Sequence, residues 1–248
     1  MLRIENVTKK YDGQPAIENI SFSVKKGTAC GVVGYNGAGK TTLLKTICGA
    51  LIPDAGGAAL DGLPVFSSAE ARARVFFVPD NPYWLPQSNM AQMRKFYAGY
   101  YQGFDGHGFG RLLEIFGLDA GKRLSGFSKG MQRQAALVFA LSSGAEYLLL
   151  DELFDGLDPQ MLELAIKLLQ TYIKQRGAAV VLASHNLPKV GQLCGQVVLL
   201  DGRRLAFDRD VGEMLAERSP MTFEEIVLAE IAPRGGVFEG LFSETGAG

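Results

Sequence analysis

Gly34-Tyr35-Asn36-Gly37-Ala38-Gly39-Lys40-Thr41-Thr42 has a lysine and two hydroxyls directly after three glycines at fixed spacing, the pattern G-x-x-x-x-G-K-[ST]. These residue types suit one task, holding a chain of phosphates. Glycines let the backbone curl until several N–H groups point at one anion, and a helix N-terminus adds partial positive charge. Lys40 then reaches the β- and γ-phosphates, while the Thr41 hydroxyl holds a magnesium ion. A glycine-rich turn with a chance lysine accounts for the loop but not for its flanks. Before it runs the apolar strand Thr28 to Val33; after it Thr42 to Cys48 reads as a helix ending near Gly49. The loop therefore implies a nucleoside triphosphate, as in kinases, GTPases and many ATPases.

A second constellation supplies carboxylates. Tyr147-Leu148-Leu149-Leu150-Asp151-Glu152 is an apolar strand that ends in two acids. In that position Asp151 binds magnesium and Glu152 polarises an attacking water. Phe127-Ser128-Lys129-Gly130-Met131-Gln132-Arg133-Gln134 opens a helix through Leu141, Gly156-Leu157-Asp158 follows the acidic pair, and Ser184-His185 ends the strand Ala178 to Ala183. Tyr11 follows the first strand. His107 fits none of these and reads as part of a loop.

Alternating apolar strands and amphipathic helices position these groups, as in a largely parallel sheet with crossover helices. Leu2 to Thr8, Ile20 to Val24 and Ala58 to Leu60 predict a small antiparallel sheet beside that core. Val75 to Val78 is a further strand. Met90 to Tyr101 and Gly110 to Phe116 predict helices around a loop at Gly103 to Gly108, within a helical insert over residues 85–140. Pro159 to Lys174 predicts a crossover helix, and Val197 to Phe207 a hairpin around Asp201-Gly202. Thr222 to Ile231 looks helical, and Phe238 to Gly248 is glycine-rich and expected to fray.

Composition narrows the function classes. The 248 residues suit one large α/β domain, and a net charge of -1 gives no general attraction for nucleic acid or an anionic membrane. No apolar run spans a bilayer, and Met1 to Asn6 lacks a signal-peptide core. Cys30, Cys48 and Cys194 lie apart in apolar segments, as buried thiols do in a reducing compartment. A cytoplasmic protein is expected.

Taken in order over residues 1–210, these pieces resemble the nucleotide-binding subunits of ATP-binding cassette (ABC) transporters. Residues 127–134 are similar to that family's LSGGQ signature, Gly156 to Asp158 to its D-loop, His185 to its switch histidine and Tyr11 to its adenine-stacking aromatic. The resemblance implies a P-loop NTPase fold: a RecA-like parallel core, an N-terminal antiparallel β subdomain and a helical subdomain. It places the ATPase domain at 1–215 and a short tail at 216–248. The implied nucleotide contacts are Tyr11, Gly34, Asn36, Gly37, Ala38, Gly39, Lys40, Thr41 and Thr42, with Ser128 and Gly130 reaching the ATP of a second subunit packed head to tail. Glu152 and His185 are the implied catalytic residues, and Thr41, Asp80 and Asp151 the implied Mg2+ ligands.

Three segments depart from the family pattern. Asp80 stands where a glutamine contacts magnesium, and is expected to keep that metal-side role, the alternative being a cap on the following turn. Lys129 and Met131 replace a glycine and a glutamine of the signature, and Leu153 replaces a common proline. The altered signature is similar to exporters with separate ATPase and membrane polypeptides. The implied function is ATP hydrolysis in a homodimer or heterodimer at the inner face of the cell membrane, touching the membrane only through a transmembrane permease. Tyr83, Trp84 and Phe96 are the expected docking anchors. Two alternatives stay open: a soluble ABC ATPase without a permease, as in metal-cluster assembly, and an ATP sensor without turnover. Intact Glu152 and His185 speak against the sensor.

Overall fold

The computed structural model describes residues 1–231; the glycine-rich end from Phe238 lies outside them. The chain opens with a hairpin of β1 (Leu2–Tyr11) and β2 (Gln14–Val24), turned at Asp12 and Gly13, both at positive φ. β3 (Ala29–Val33) leads through the glycine loop into α1 (Lys40–Ile47). β4 (Ala55–Leu60) and the two-residue β5 (Leu63–Pro64) return to the hairpin, making an antiparallel sheet ordered β2-β1-β4-β5.

α2 (Ala69–Ala73) and β6 (Val75–Val78) precede three further helices, α3 (Met90–Tyr100), α4 (Gly106–Phe116) and α5 (Lys129–Ser142). α4 begins earlier than the glycines suggest. The Asp105 carboxylate accepts the Gly108 N–H at 2.8 Å and caps the helix, so His107 sits on a helix and not in the expected loop. β7 (Tyr147–Asp151), α6 (Pro159–Arg176), β8 (Ala179–Ala183), α7 (Leu187–Leu193), β9 (Gln196–Asp201) and β10 (Arg204–Asp210) complete the second sheet. Its order is β10-β9-β3-β8-β7-β6, parallel from β6 to β9 and closed by the antiparallel β10.

Every residue of β3, β7 and β8 is buried, because both faces of this sheet are covered. Alternation assigns the faces. Cys30, Val32, Tyr147 and Leu149 pack with α1 and the antiparallel sheet, whereas Ala29, Val33, Leu148 and Leu150 pack with the helices on the other side. The three cysteines are free thiols, and burial pushes the Cys30 and Cys194 thiols well up.

Residues 216–231 pack against this core. α8 (Val211–Glu217) leads to α9 (Phe223–Glu230), which starts with a reciprocal cap between Thr222 and Glu225. Phe223, Ile226 and Val227 join the main apolar layer. A Cβ on Gly191 would come within 2.9 Å of the Phe223 ring, so α7 and α9 meet at glycine distance.

Candidate functional site

Strand β3 stops at Gly34, and the next turns need glycine for two separate reasons. Gly39 has φ 102°, and a Cβ there would meet the Ala16 carbonyl oxygen at 2.6 Å. At Gly34 a Cβ would meet the Leu200 carbonyl oxygen at 2.6 Å. The loop is thus pressed between the β1–β2 hairpin and the end of β9. It wraps the Lys40 side chain, which is 6% exposed and donates to the Gly34 carbonyl at 2.8 Å.

An open cleft of ≈ 470 Å³ lies over this loop. Asn36, Gly37, Ala38, Gly39, Lys40, Thr41 and Thr42 line it, together with Tyr11, Asp80 and Glu152. Tyr11 is half exposed, as an aromatic platform must be, with Lys9 Nζ 5.9 Å from its ring centre. Gly34 does not line the cleft; its carbonyl anchors Lys40. Gln14, Pro15, Ala16 and Arg203 also line it and carry no signal in the sequence, since only folding brings the hairpins to the loop.

The parallel sheet delivers both acids to the same place. Asp151 is 1% exposed, and neither carboxylate oxygen has a hydrogen-bond partner. Burial pushes its pKa up, and the charges of Glu152 and Asp80 push the same way. The neighbouring Thr41 hydroxyl opposes this without completing a hydrogen bond, as does Lys40. A buried carboxylate without donors is costly, and a divalent cation is the partner that suits it. The residues present therefore fit magnesium.

Glu152 holds φ 47°, a conformation unusual for a residue with a side chain. Its Oε1 lies 3.4 Å from Lys40 Nζ, and its Oε2 accepts the His185 N–H at 3.2 Å and meets His185 Nδ1 at 3.0 Å. The other ring nitrogen lies 3.7 Å from Asp155 Oδ1. The phosphate loop, the acidic strand end and the histidine strand end thus converge on one carboxylate.

Ser128 and Gly130 do not line the cleft of their own chain. Ser128 is the N-cap of α5, its Oγ accepting the Met131 N–H at 3.2 Å. Gly130 packs so closely that a Cβ would meet the Gly156 carbonyl oxygen at 2.8 Å. Asp80, expected as a metal ligand, lines the cleft and is ion-paired within its own chain. Its Oδ1 is ion-paired with Arg133 at 2.5 Å and its Oδ2 takes the Asn81 amide at 3.2 Å. Trp84 is half-buried: its ring lies 5.8 Å from Phe139 and its indole nitrogen is buried.

A phosphate loop at the C-terminal edge of a parallel sheet, with a buried acid and a second carboxylate opposite the lysine, defines a P-loop nucleotide hydrolase. The ABC transporter family model matches residues 17–155. Nod factor export ATP-binding protein I of Burkholderia pseudomallei is 35% identical over 210 residues, covering 82% of this chain and 68% of that protein. Methionine import ATP-binding protein MetN of Caulobacter vibrioides is 31% identical over 239 residues, covering 92% of this chain and 72% of that protein. A solved ATP-binding subunit of an ABC transporter has the same fold, with a TM-score of 0.84 at 24% identity over 93% of this chain and 99% of that one. The chain belongs to the ABC transporter family and is one of its ATP-binding, ATP-hydrolysing subunits. Among the described residues no helix is long and apolar enough to cross a membrane.

Proposed function

We propose that this chain hydrolyses ATP in a head-to-tail dimer and so drives a separate transmembrane permease, in the export direction, from the inner face of the membrane. One observation carries the reading: Lys40 and Glu152 face each other in the cleft, 3.4 Å apart, beside the donorless Asp151. Triphosphate on the loop gives Lys40 a stronger anion than Glu152, and the freed carboxylate can orient water against the γ-phosphate. His185, already bonded to Glu152, is placed to contact that phosphate too. Thr41 and Asp151 would hold Mg2+, which supplies charge neutralisation at the phosphate oxygens. Tyr11 offers its face to adenine.

The dimer follows from what one subunit lacks. Ser128 and Gly130 lie outside their own cleft, so the α5 N-terminus serves a neighbour's nucleotide. A solved cassette of this fold, dimeric with ADP and Pi, supports that arrangement; it matches with a TM-score of 0.76 at 20% identity over 85% of this chain and 99% of that one. Export is supported by the Nod factor relatives, and the exposed Tyr83 and Phe96, at 77% and 51%, suit docking on a permease.

Glu152→Gln removes the water-orienting carboxylate and keeps the fold, so ATP accumulates unhydrolysed. With ATP and Mg2+ this variant is expected to double its mass by light scattering, and Ser128→Ala added to it to return it to monomer. A Glu152→Gln chain that stays monomeric at saturating ATP refutes the dimer reading.

A further inference from the structure

Position 80 raises a problem of charge. A cleft that must admit a polyanion has a carboxylate in its wall, where the resemblance expects a neutral amide. The structure also holds the answer. Arg133, in the second turn of α5, directs one arm of its guanidinium to Asp80 Oδ1 at 2.5 Å and to the Asp80 carbonyl at 3.4 Å. Its other arm donates to the Asp155 carbonyl. The Arg133 side chain is only 12% exposed, against 43% for Asp80. A planar fork that donates to two separate acceptors is what arginine provides and lysine does not.

Each partner of Arg133 belongs to a different piece of the site. Asp80 follows β6 and lines the cleft. Asp155 lies in the loop after β7, with Oδ1 3.7 Å from His185 Nε2. The next residue, Gly156, presents its carbonyl to the α5 N-terminus, where only glycine fits at position 130. Behind the pair is a second polar cavity lined by Lys129, Gln132, Arg133 and Asp155, with Asp80 forming the wall shared with the cleft.

We propose that Asp80 and Arg133 form a neutralising and positioning pair, in which Arg133 cancels the carboxylate facing the nucleotide and holds the Asp155 loop and α5 in register with it. Asp80 is then a partner for arginine and not a metal ligand. Arg133 is a positioning residue with two separable jobs: its charge sets ATP affinity, and its second arm sets turnover.

The inference rests on the cleft being the ATP site, and the test separates the two. ATP binding to the full chain is measured by calorimetry with Mg2+ and with EDTA, and steady-state turnover alongside. Arg133→Gln exposes the Asp80 charge and is expected to weaken ATP about tenfold with or without Mg2+. Adding Asp80→Asn should bring affinity back to within about threefold of wild type, since the pair acts as a unit. Asp80→Asn alone, leaving Arg133 uncompensated, should tighten metal-free ATP. Arg133→Lys keeps the charge but loses the fork, so affinity stays within about threefold while kcat falls about fivefold or more.

A double variant as weak as Arg133→Gln overturns the proposal. So does an Asp80→Asn chain that loses ATP only when Mg2+ is present, which would make Asp80 a metal ligand. Equal losses of affinity and turnover in Arg133→Lys remove the positioning role. If Arg133→Gln does not fold, the Asp80→Asn and Arg133→Lys arms decide. A wild-type chain that binds no Mg2+·ATP instead refutes the reading of the cleft.

Discussion

Replacing Asp151 by asparagine should stabilise the nucleotide-free chain while destroying its response to Mg2+·ATP. Both carboxylate oxygens are buried without a donor, so the charge is desolvated and uncompensated by hydrogen bonds. The amide still lacks partners, so what the substitution recovers is the cost of the buried charge, about 1.5 kcal/mol once Lys40 and Thr41 have offset part of it. For a chain of this size that raises Tm by about 3–6 °C. The sign with pH follows from the raised folded pKa. Below the unfolded value near 4 both states are protonated and the penalty is absent. It grows as pH rises through the window up to the folded value and is complete above it. The gain from Asp151→Asn is therefore largest at neutral pH and vanishes in acid. Thermal unfolding with EDTA and with Mg2+·ATP reads both halves, wild type shifting up with Mg2+·ATP and the variant not. An Asp151→Asn chain that is less stable without ligand, or gains as much from Mg2+·ATP as wild type, refutes the reasoning.

Gly39→Ala forces a Cβ onto the Ala16 carbonyl at a φ of 102°, and should cost about 2–3 kcal/mol in urea unfolding, with nucleotide binding lost in parallel. Acid should loosen the junction of the two sheets. The Met1 amino group, Arg74 and Lys26 hold Asp61 well below the usual carboxylate range, and Arg74 and Lys26 lower Glu146. Depressed carboxylates stabilise the fold above their unfolded pKa, and that contribution is lost as pH falls from about 4 through their folded values. Arg74→Met should flatten this acid limb of the stability curve, and an unchanged limb would assign it to other groups.

Local patterns carried much of the architecture. Runs such as Leu148-Leu149-Leu150 and Val180-Val181-Leu182 are apolar on both faces, which only a doubly covered sheet explains. Boundaries were less legible where a single side chain competes with composition. The glycines at 103–108 read as loop, yet one carboxylate, Asp105, caps a helix in their midst. β5 has two residues, too few for any periodicity. Residue type alone does not say how far an aromatic turns inward; the Trp84 ring packs against Phe139, while Tyr83 beside it is exposed.

What the sequence determined by itself is the chemistry of the loop and of the acidic strand end. Glycine spacing, a following lysine and a strand closing on two carboxylates are constraints among near neighbours, and near neighbours fold in ways their own residues dictate. Tertiary structure decided the partners. That Lys40 faces Glu152, that Asp151 lies buried without a donor and that Arg133 claims Asp80 across 53 positions are consequences of sheet order and helix docking. Long-range electrostatic pairing leaves no period or spacing in the chain, so residues such as Arg133 become visible only when the strands have been placed side by side.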